Sequence, residues 1–94
     1  MSLLNDEQIM VELSNLAGWE RTGGSLVRKF KTHNFPQTLG LCVAIGSICQ
    51  AHDHHPDFMT LKYGELEVSF STHSEGGITL RDINVIKDIQ KLNF

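Results

Sequence analysis

The sequence has no run of basic residues and no long apolar segment. Its 94 residues include 8 Lys or Arg against 11 Asp or Glu, a formal net charge of −3, which argues against a nucleic-acid-binding surface. The longest apolar stretch, residues 39–49, is about half the length of a membrane-spanning helix. The first six residues contain no basic region and no cleavage-site pattern, so we expect no secretory signal.

Cysteine is scarce as well. Cys42 and Cys49 lie seven residues apart in one helical pattern, which would hold their Cα atoms about 10 Å apart, too far for a disulfide. We expect two reduced, buried thiols in a cytoplasmic protein. The apolar fraction is 40%, and no repeat or linker interrupts the chain. Residues 1–94 are therefore predicted to form a single domain.

Two amphipathic helices are predicted near the ends of the chain. The first covers about residues 6–16, opens with a capping box from Asn5 to Gln8 and is stopped by Gly18. Its buried stripe would be Ile9, Leu13 and Leu16. The last helix opens with a capping box from Thr79 to Asp82 and runs to about residue 92. Its buried stripe would be Ile83, Ile86 and Ile89.

A more apolar helix is predicted between them, from Asn34 and Pro36 to about residue 51. One apolar face would hold Phe35, Leu39, Cys42, Gly46 and Cys49, and another Leu41, Ile45 and Ile48. Either this helix is fully buried, or one face packs on a sheet and the other on a second subunit. We favour the second arrangement.

Two β-hairpins complete the pattern. The first joins residues 19–21 to 26–31 through Gly23-Gly24-Ser25. The second joins alternating strands over 59–63 and 66–70, with Gly64-Glu65 as a type II′ turn. In that register the numbers of paired residues sum to 129. The order α-β-β-α-β-β-α predicts an α+β fold in which helices pack over an antiparallel sheet.

Histidines dominate the chemistry of the sequence. His52, His54 and His55 fall within four positions, and His73 lies eighteen residues after His55. The predicted register places His73 across from Pro56, so the second hairpin would return His73 to the cluster. Histidine titrates near neutral pH and can donate or accept protons there.

Three interpretations of the cluster remain open at this point. The histidines could be solvated loop residues. They could bind zinc, although a structural zinc site would normally recruit cysteine, and both cysteines lie in the wrong place. They could instead perform metal-free acid–base chemistry on a small polar molecule. Nucleophilic catalysis is not indicated, because no Ser or Cys accompanies them in an activating arrangement.

The motifs resemble those of the pterin-4a-carbinolamine dehydratase family. They are Asp53-His54-His55-Pro56-Asp57-Phe58, Ser71-Thr72-His73, Gly76-Gly77-Ile78-Thr79 and Arg81-Asp82, and the similarity extends to Trp19. The resemblance implies a four-stranded antiparallel sheet with three helices on one face. It also implies dehydration of 4a-hydroxytetrahydropterin to quinonoid dihydropterin, which recycles the cofactor of aromatic amino-acid hydroxylases. Neither a metal nor a cofactor is implied.

The resemblance also assigns site residues. It implies three catalytic histidines, namely His54, His55 and His73. Substrate-binding positions would be Pro56, Asp57, Phe58, Thr72, Arg81 and Asp82. We expect His55 and His73 to transfer protons and His54 to orient the substrate. Arg81 and Asp82 would hold the edge of the pocket; alternatively they are a helix cap and a solvated partner.

The resemblance further implies a pterin substrate, a homodimer or homotetramer, and an aromatic amino-acid hydroxylase as a possible partner. The chain departs from the family pattern in two ways: Phe58 stands where many members have Trp, and the stretch from His55 to His73 is one residue longer. A regular hairpin would then turn these histidines to opposite faces, so we predict a β-bulge between Asp57 and Lys62 or a wider turn. An alternative function is a non-catalytic family member: a dimerisation cofactor, a coactivator or an assembly chaperone.

Overall fold

The computed structural model describes residues 2–94 and confirms the predicted α+β fold. The four strands are β1 (Trp19–Thr22), β2 (Ser25–Lys31), β3 (Phe58–Lys62) and β4 (Glu65–Phe70). They form one antiparallel sheet in the order β1-β2-β4-β3. The helices are α1 (Asp6–Leu13), α2 (Phe35–His52) and α3 (Leu80–Ile89), and a single turn of 3₁₀ helix, η1 (His73–Glu75), precedes α3.

Side-chain caps fix where the helices begin. Asn5 and Gln8 form a capping box at α1, and Thr79 and Asp82 form one at α3, as predicted. The Asn34 side chain caps α2 by accepting a hydrogen bond from the N–H group of Gln37. The ends of α1 and α3 come three residues earlier than predicted, because each helix runs on as hydrogen-bonded turns.

The core lies between one face of the sheet and the three helices. Alternate strand residues point into it, among them Leu26, Phe30, Leu66, Val68 and Phe70. The helices cover these side chains with Ile9, Leu41, Ile45, Cys49, Ile83, Ile86 and Ile89. Cys49 is buried, Cys42 is partly buried and both are free thiols. Within residues 2–94, no helix covers the opposite face of the sheet, and polar residues such as Lys29 and Glu67 lie on it.

Helix α2 is not fully buried. Its core side consists of Thr38, Leu41, Ile45 and Cys49, whereas Phe35, Leu39 and Val43 are exposed. The apolar face predicted to hold Phe35, Leu39 and Cys49 is therefore divided. Phe35 and Leu39 are exposed, whereas Cys49 is buried in the core. The predicted packing of one side on the sheet is confirmed. Within residues 2–94, no helix has both the length and the apolarity to cross a membrane.

The predicted register of the second hairpin was wrong by two residues. Lys62 pairs with Glu65 and Phe58 with Ser69, so paired numbers sum to 127 and the turn residues are Tyr63 and Gly64. The turn is hydrogen-bonded to residues that are distant in sequence. The Tyr63 carbonyl accepts a hydrogen bond from the hydroxyl of Thr38, and the Gly64 carbonyl accepts one from the N–H group of Thr32. These bonds connect the observed turn to the end of β2 and to α2.

The predicted wider turn is absent, but the predicted β-bulge is present where β3 begins. The Asp57 N–H group donates to the Ser69 carbonyl at 2.7 Å, although Ser69 is paired with Phe58, so two residues lie opposite one. Pairing is continuous from Phe58 to Lys62, and the turn contains two residues. The bulge lies at the first residues of the ladder, next to the histidine segments, which are outside the ladder. Strand β4 ends at Phe70, before His73, and strand β3 begins at Phe58, after His55.

Candidate active site

The first wall of the site is built where α2 ends. Asp53 caps the helix in the left-handed conformation, with φ 51° and ψ 44°. Its N–H group still bonds to the helix, as does that of His54, which donates to the Cys49 carbonyl at 3.0 Å. Left-handed backbone is unusual for a residue other than glycine and often marks a functional site. The turn at Asp53 redirects the chain so that His54 and His55 leave the helix axis.

The second wall follows strand β4. Thr72 bridges to Gly77, and between them the chain forms η1, which begins at His73. Gly76 closes this loop with φ 74°, a conformation that glycine adopts without strain. The side chain of His73 is therefore carried on a short, tightly closed loop.

The two walls enclose a cavity of about 330 Å³. It is lined by Asp53, His54, His55, Pro56, Ser71, Thr72, His73, Ser74 and Arg81. The three histidines that the resemblance implied as catalytic, His54, His55 and His73, thus meet at one cavity, although the register that led to this expectation was wrong. Asp57, Phe58 and Asp82, which the resemblance implied as substrate-binding residues, are outside the lining.

His54 is the buried histidine of the site. Its Nε2 atom lies 2.5 Å from Oδ1 of Asp82, and its ring stacks on Phe70. The other carboxylate oxygen of Asp82 accepts hydrogen bonds from the Thr72 hydroxyl and the Thr79 N–H group, both at 2.9 Å. Asp82 is fully buried. Asp82 therefore supports His54 from behind the cavity. Among residues 2–94, Nδ1 of His54 has no hydrogen-bond partner and is left for a ligand.

His55 is exposed at the cavity and, within residues 2–94, its side chain forms no hydrogen bond. Both ring nitrogens are accordingly available to a ligand. Pro56 follows at once and restricts the backbone of His55 to extended conformations.

His73 is exposed, with 80% of its side chain accessible. Its Nε2 atom lies 2.7 Å from Oδ1 of Asp57. Burial opposes ionisation of Asp57, but the hydrogen bonds it accepts, chiefly from Ser71 and Ser69, outweigh burial and hold its pKa below the ordinary value. Asp57 is therefore a stable carboxylate at neutral pH.

Arg81 joins the two walls. Its guanidinium donates a hydrogen bond to the Asp53 carbonyl at 2.5 Å and also lines the cavity. The first turn of α3 is thus tied to the last turn of α2. Arg81 thus lies at the cavity, and a contact with the substrate stays a prediction.

Sequence reasoning did not select Asp53, Ser71 and Ser74, which also line the cavity. Ser71 could have been found, because the alternation along β4, continued one residue past its end, puts Ser71 on the same side as Ser69. Asp53 precedes the histidine pair in the motif, but its left-handed conformation is not visible in the sequence. Within residues 2–94, no three His, Cys, Asp or Glu side chains are placed to share a metal ion.

Comparison with known proteins gives the same family as the sequence motifs. A family model described as pterin 4 alpha carbinolamine dehydratase matches residues 2–92. The chain belongs to this family. A relative from Aquifex aeolicus, provisionally named pterin-4-alpha-carbinolamine dehydratase, is 38% identical over 89 residues, which are 95% of this chain and 89% of the relative. A similarly named protein from Mycobacterium avium is 37% identical, over 95% of this chain and 94% of its own length.

Solved structures show the same fold. The crystal structure of a transcriptional coactivator/pterin dehydratase from Brucella melitensis matches with a TM-score of 0.88 and 26% identity, over 95% of this chain and 96% of that one. A pterin dehydratase-like protein identified as a RuBisCO assembly factor in the alpha-carboxysome matches with a TM-score of 0.60 and 11% identity, over 76% of this chain and 81% of that one. At that identity the second likeness concerns the fold alone.

Proposed function

We propose that this protein dehydrates 4a-hydroxytetrahydropterin to quinonoid dihydropterin by histidine acid–base catalysis. The observation that carries the proposal is the meeting of His54, His55 and His73 at one cavity of about 330 Å³. They come from two separate segments, and all three match the motif of the dehydratase family.

The reaction requires two proton transfers. The C4a–O bond breaks as a protonated imidazole gives its proton to the leaving hydroxyl, which departs as water. A neutral imidazole removes the proton on N5, and the N–H electron pair forms the new N5–C4a double bond. Histidine can supply both forms near pH 7. We assign the two transfers to His55 and His73, because their rings are exposed at the cavity.

His54 takes a different part in this scheme. Its ring is buried and held by Asp82, so it is suited to binding and orienting the pterin through Nδ1. Pro56, Thr72 and Arg81 line the cavity and would contact the substrate directly. Asp82 would contribute through His54, since both of its oxygens already accept hydrogen bonds from the protein.

The decisive experiment generates the 4a-hydroxy substrate in place. An aromatic amino-acid hydroxylase produces it from tetrahydropterin, and its decay is followed by absorbance with and without this protein at micromolar concentration. Faster decay with this protein, abolished by combined replacement of His55 and His73 by Ala, supports the proposal. Decay at the uncatalysed rate would contradict it.

A second candidate function is that of a non-catalytic family member. The Brucella melitensis relative is described as both a coactivator and a dehydratase, so the fold and a second role can coincide. An uncatalysed rate in the assay above would favour a dimerisation cofactor, coactivator or assembly chaperone for this chain. The retained histidines favour the enzyme, because a scaffold has no physical need of all three.

The setting of the reaction is also part of the proposal. We propose that the protein acts in the cytoplasm beside an aromatic amino-acid hydroxylase, whose oxidised cofactor it recycles. We further propose a homodimer or homotetramer in which the exposed side of α2 is covered by a second copy. Phe35, Leu39 and Val43 support this, because each is apolar and substantially exposed.

A further inference from the structure

Asp57 lies behind the cavity and is saturated with hydrogen bonds. Its Oδ1 atom accepts from Ser71 and His73, and its Oδ2 atom accepts from Ser25 and Ser69. A carboxylate has about four lone-pair positions, and four donors occupy them here. Asp57 consequently has little capacity left to bind a substrate.

The donors come from separate parts of the fold. Ser25 begins β2, Ser69 lies in β4, and Ser71 follows the end of β4. Only 15% of the Asp57 side chain is exposed. The carboxylate is thus fixed from three sides by hydroxyl groups, and it presents one oxygen to the exposed ring of His73.

This arrangement determines which nitrogen of His73 carries a proton. An ionised carboxylate accepts hydrogen bonds and cannot donate them. The Nε2 atom, 2.7 Å from Asp57, must therefore carry the hydrogen of the neutral ring. The Nδ1 atom is left with a free electron pair. Among residues 2–94, Asp57 is the side chain to which His73 is hydrogen-bonded.

We propose that Asp57 is a positioning residue that fixes the orientation and tautomer of His73, so that Nδ1 takes the N5 proton of the pterin. This inference rests on the proposed function. When Nδ1 accepts the proton, the ring becomes an imidazolium with hydrogen on both nitrogens. Its positive charge is then stabilised by the adjacent carboxylate, which itself stays ionised, and the proton later passes to solvent.

The first test is spectroscopic and needs no substrate. In ¹⁵N-labelled protein, nitrogen shifts and long-range ¹H–¹⁵N couplings identify the tautomer of each neutral histidine, and His73→Ala assigns the His73 signals. We expect Nδ1 of His73 to be unprotonated in the unmodified protein. A ring protonated at Nδ1 would overturn the proposal, whether or not any variant folds and whether or not the protein is active.

The second test compares Asp57→Asn with a matched variant. The amide that this substitution introduces can donate a hydrogen bond as well as accept one, so the His73 signals should shift towards the tautomer protonated at Nδ1. Asp88→Asn is the control, because Asp88 lies 2.6 Å from Nε2 of His52, outside the cavity lining. It should leave the His73 signals unchanged.

Kinetics provide the third test. We expect Asp57→Asn to lower kcat by about tenfold and to move the acidic limb of the pH profile to lower pH. The loss should be smaller than the roughly 10⁴-fold loss for the buried Asp of a Ser-His-Asp triad, because water can solvate the exposed ring. The effect on kcat should vanish in a His73→Ala background.

The outcomes separate the two proposals. Equal losses from Asp57→Asn with and without His73 would show a merely structural role and overturn the inference while leaving the dehydratase intact. Absence of dehydration by the unmodified protein would overturn the proposed function, and the spectroscopic test would still decide the tautomer. Circular dichroism and urea unfolding establish that each variant is folded before it is compared.

Discussion

Exposure distinguishes the histidines of the site. His54 is 7% exposed and carries part of the packing, whereas His73 is 80% exposed and packs against little. Replacement of His73 by Ala should therefore lower turnover by about 10²-fold without lowering the free energy of unfolding appreciably. The measurements are the decay of the 4a-hydroxypterin and the urea midpoint.

The control for this prediction is His33→Ala. His33 is also exposed, and it lies outside the cavity lining, just before α2. Its replacement should change neither the rate nor the urea midpoint. An unchanged rate for His73→Ala would remove His73 from the mechanism.

Asp82 should matter most for stability. Its replacement by Ala leaves Nε2 of His54, the Thr72 hydroxyl and the Thr79 N–H group buried without their acceptor. We expect the free energy of unfolding to fall by about 3–5 kcal/mol, as is usual when one member of a buried polar pair is removed. Urea denaturation measures the loss. Asp88→Ala, which breaks a more exposed His–Asp pair, should cost far less; equal losses would contradict the prediction.

Helices and strands differ in how far neighbouring residues determine them. The starts of α1 and α3 could be predicted, because Asn5 with Gln8 and Thr79 with Asp82 satisfy N–H groups three residues away. The pairing register of β3 and β4 could not be predicted from neighbouring residues in the same way. The turn between them is hydrogen-bonded to Thr38, which is distant in sequence and becomes a neighbour only when α2 packs on the sheet.

Contacts between elements should also set the acid stability of the fold. Asp57 links the segment before β3 to β2 and β4, and despite its burial its hydrogen bonds hold its pKa below the ordinary value. A depressed carboxyl pKa stabilises the folded state above the pKa of the unfolded chain, about 3.9, and this stabilisation is lost as pH falls through the folded pKa. We predict that Asp57→Asn flattens the dependence of unfolding free energy on pH between about 5 and 3.

The comparison for this prediction is Asp88→Asn. Hydrogen bonds from His52 and Lys91 lower the pKa of Asp88, but its side chain is more exposed. Its replacement should flatten the curve less than Asp57→Asn does. Urea unfolding at several pH values gives both slopes, and a wild-type slope in Asp57→Asn would show that Asp57 does not contribute to the acid response.

For the molecule as a whole, the sequence predicted which histidines form the site better than it predicted which residues support them. The spacing of His54, His55 and His73 was sufficient to expect that they meet, because an antiparallel hairpin returns the chain to its start. The support provided by Asp57 was not predictable. Asp57 lies in the loop between α2 and β3. Outside helices and strands, hydrogen bonds do not repeat at a fixed spacing that a sequence pattern could reveal.

The apolar side of α2 leads to a prediction about assembly. Phe35, Leu39 and Val43 recur every four residues and are 41%, 44% and 69% exposed, so they form one continuous stripe on the helix. If this stripe packs on a second copy, Val43→Lys places a charge in a dry interface and should dissociate the assembly. Sedimentation velocity should give two or four times the mass of one chain for the unmodified protein and a smaller mass for the variant.

The matched control for assembly is Val11→Lys, a similarly exposed valine on α1. Both substitutions put the same charge on a helix surface, so they differ only in the surface that receives it. Val11→Lys should keep the mass of the unmodified protein. If Val43→Lys also keeps that mass, or if the unmodified protein sediments as a single chain, the stripe is not the contact between copies. The histidine cavity lies within one chain, so dissociation alone should leave the residues that line it in place.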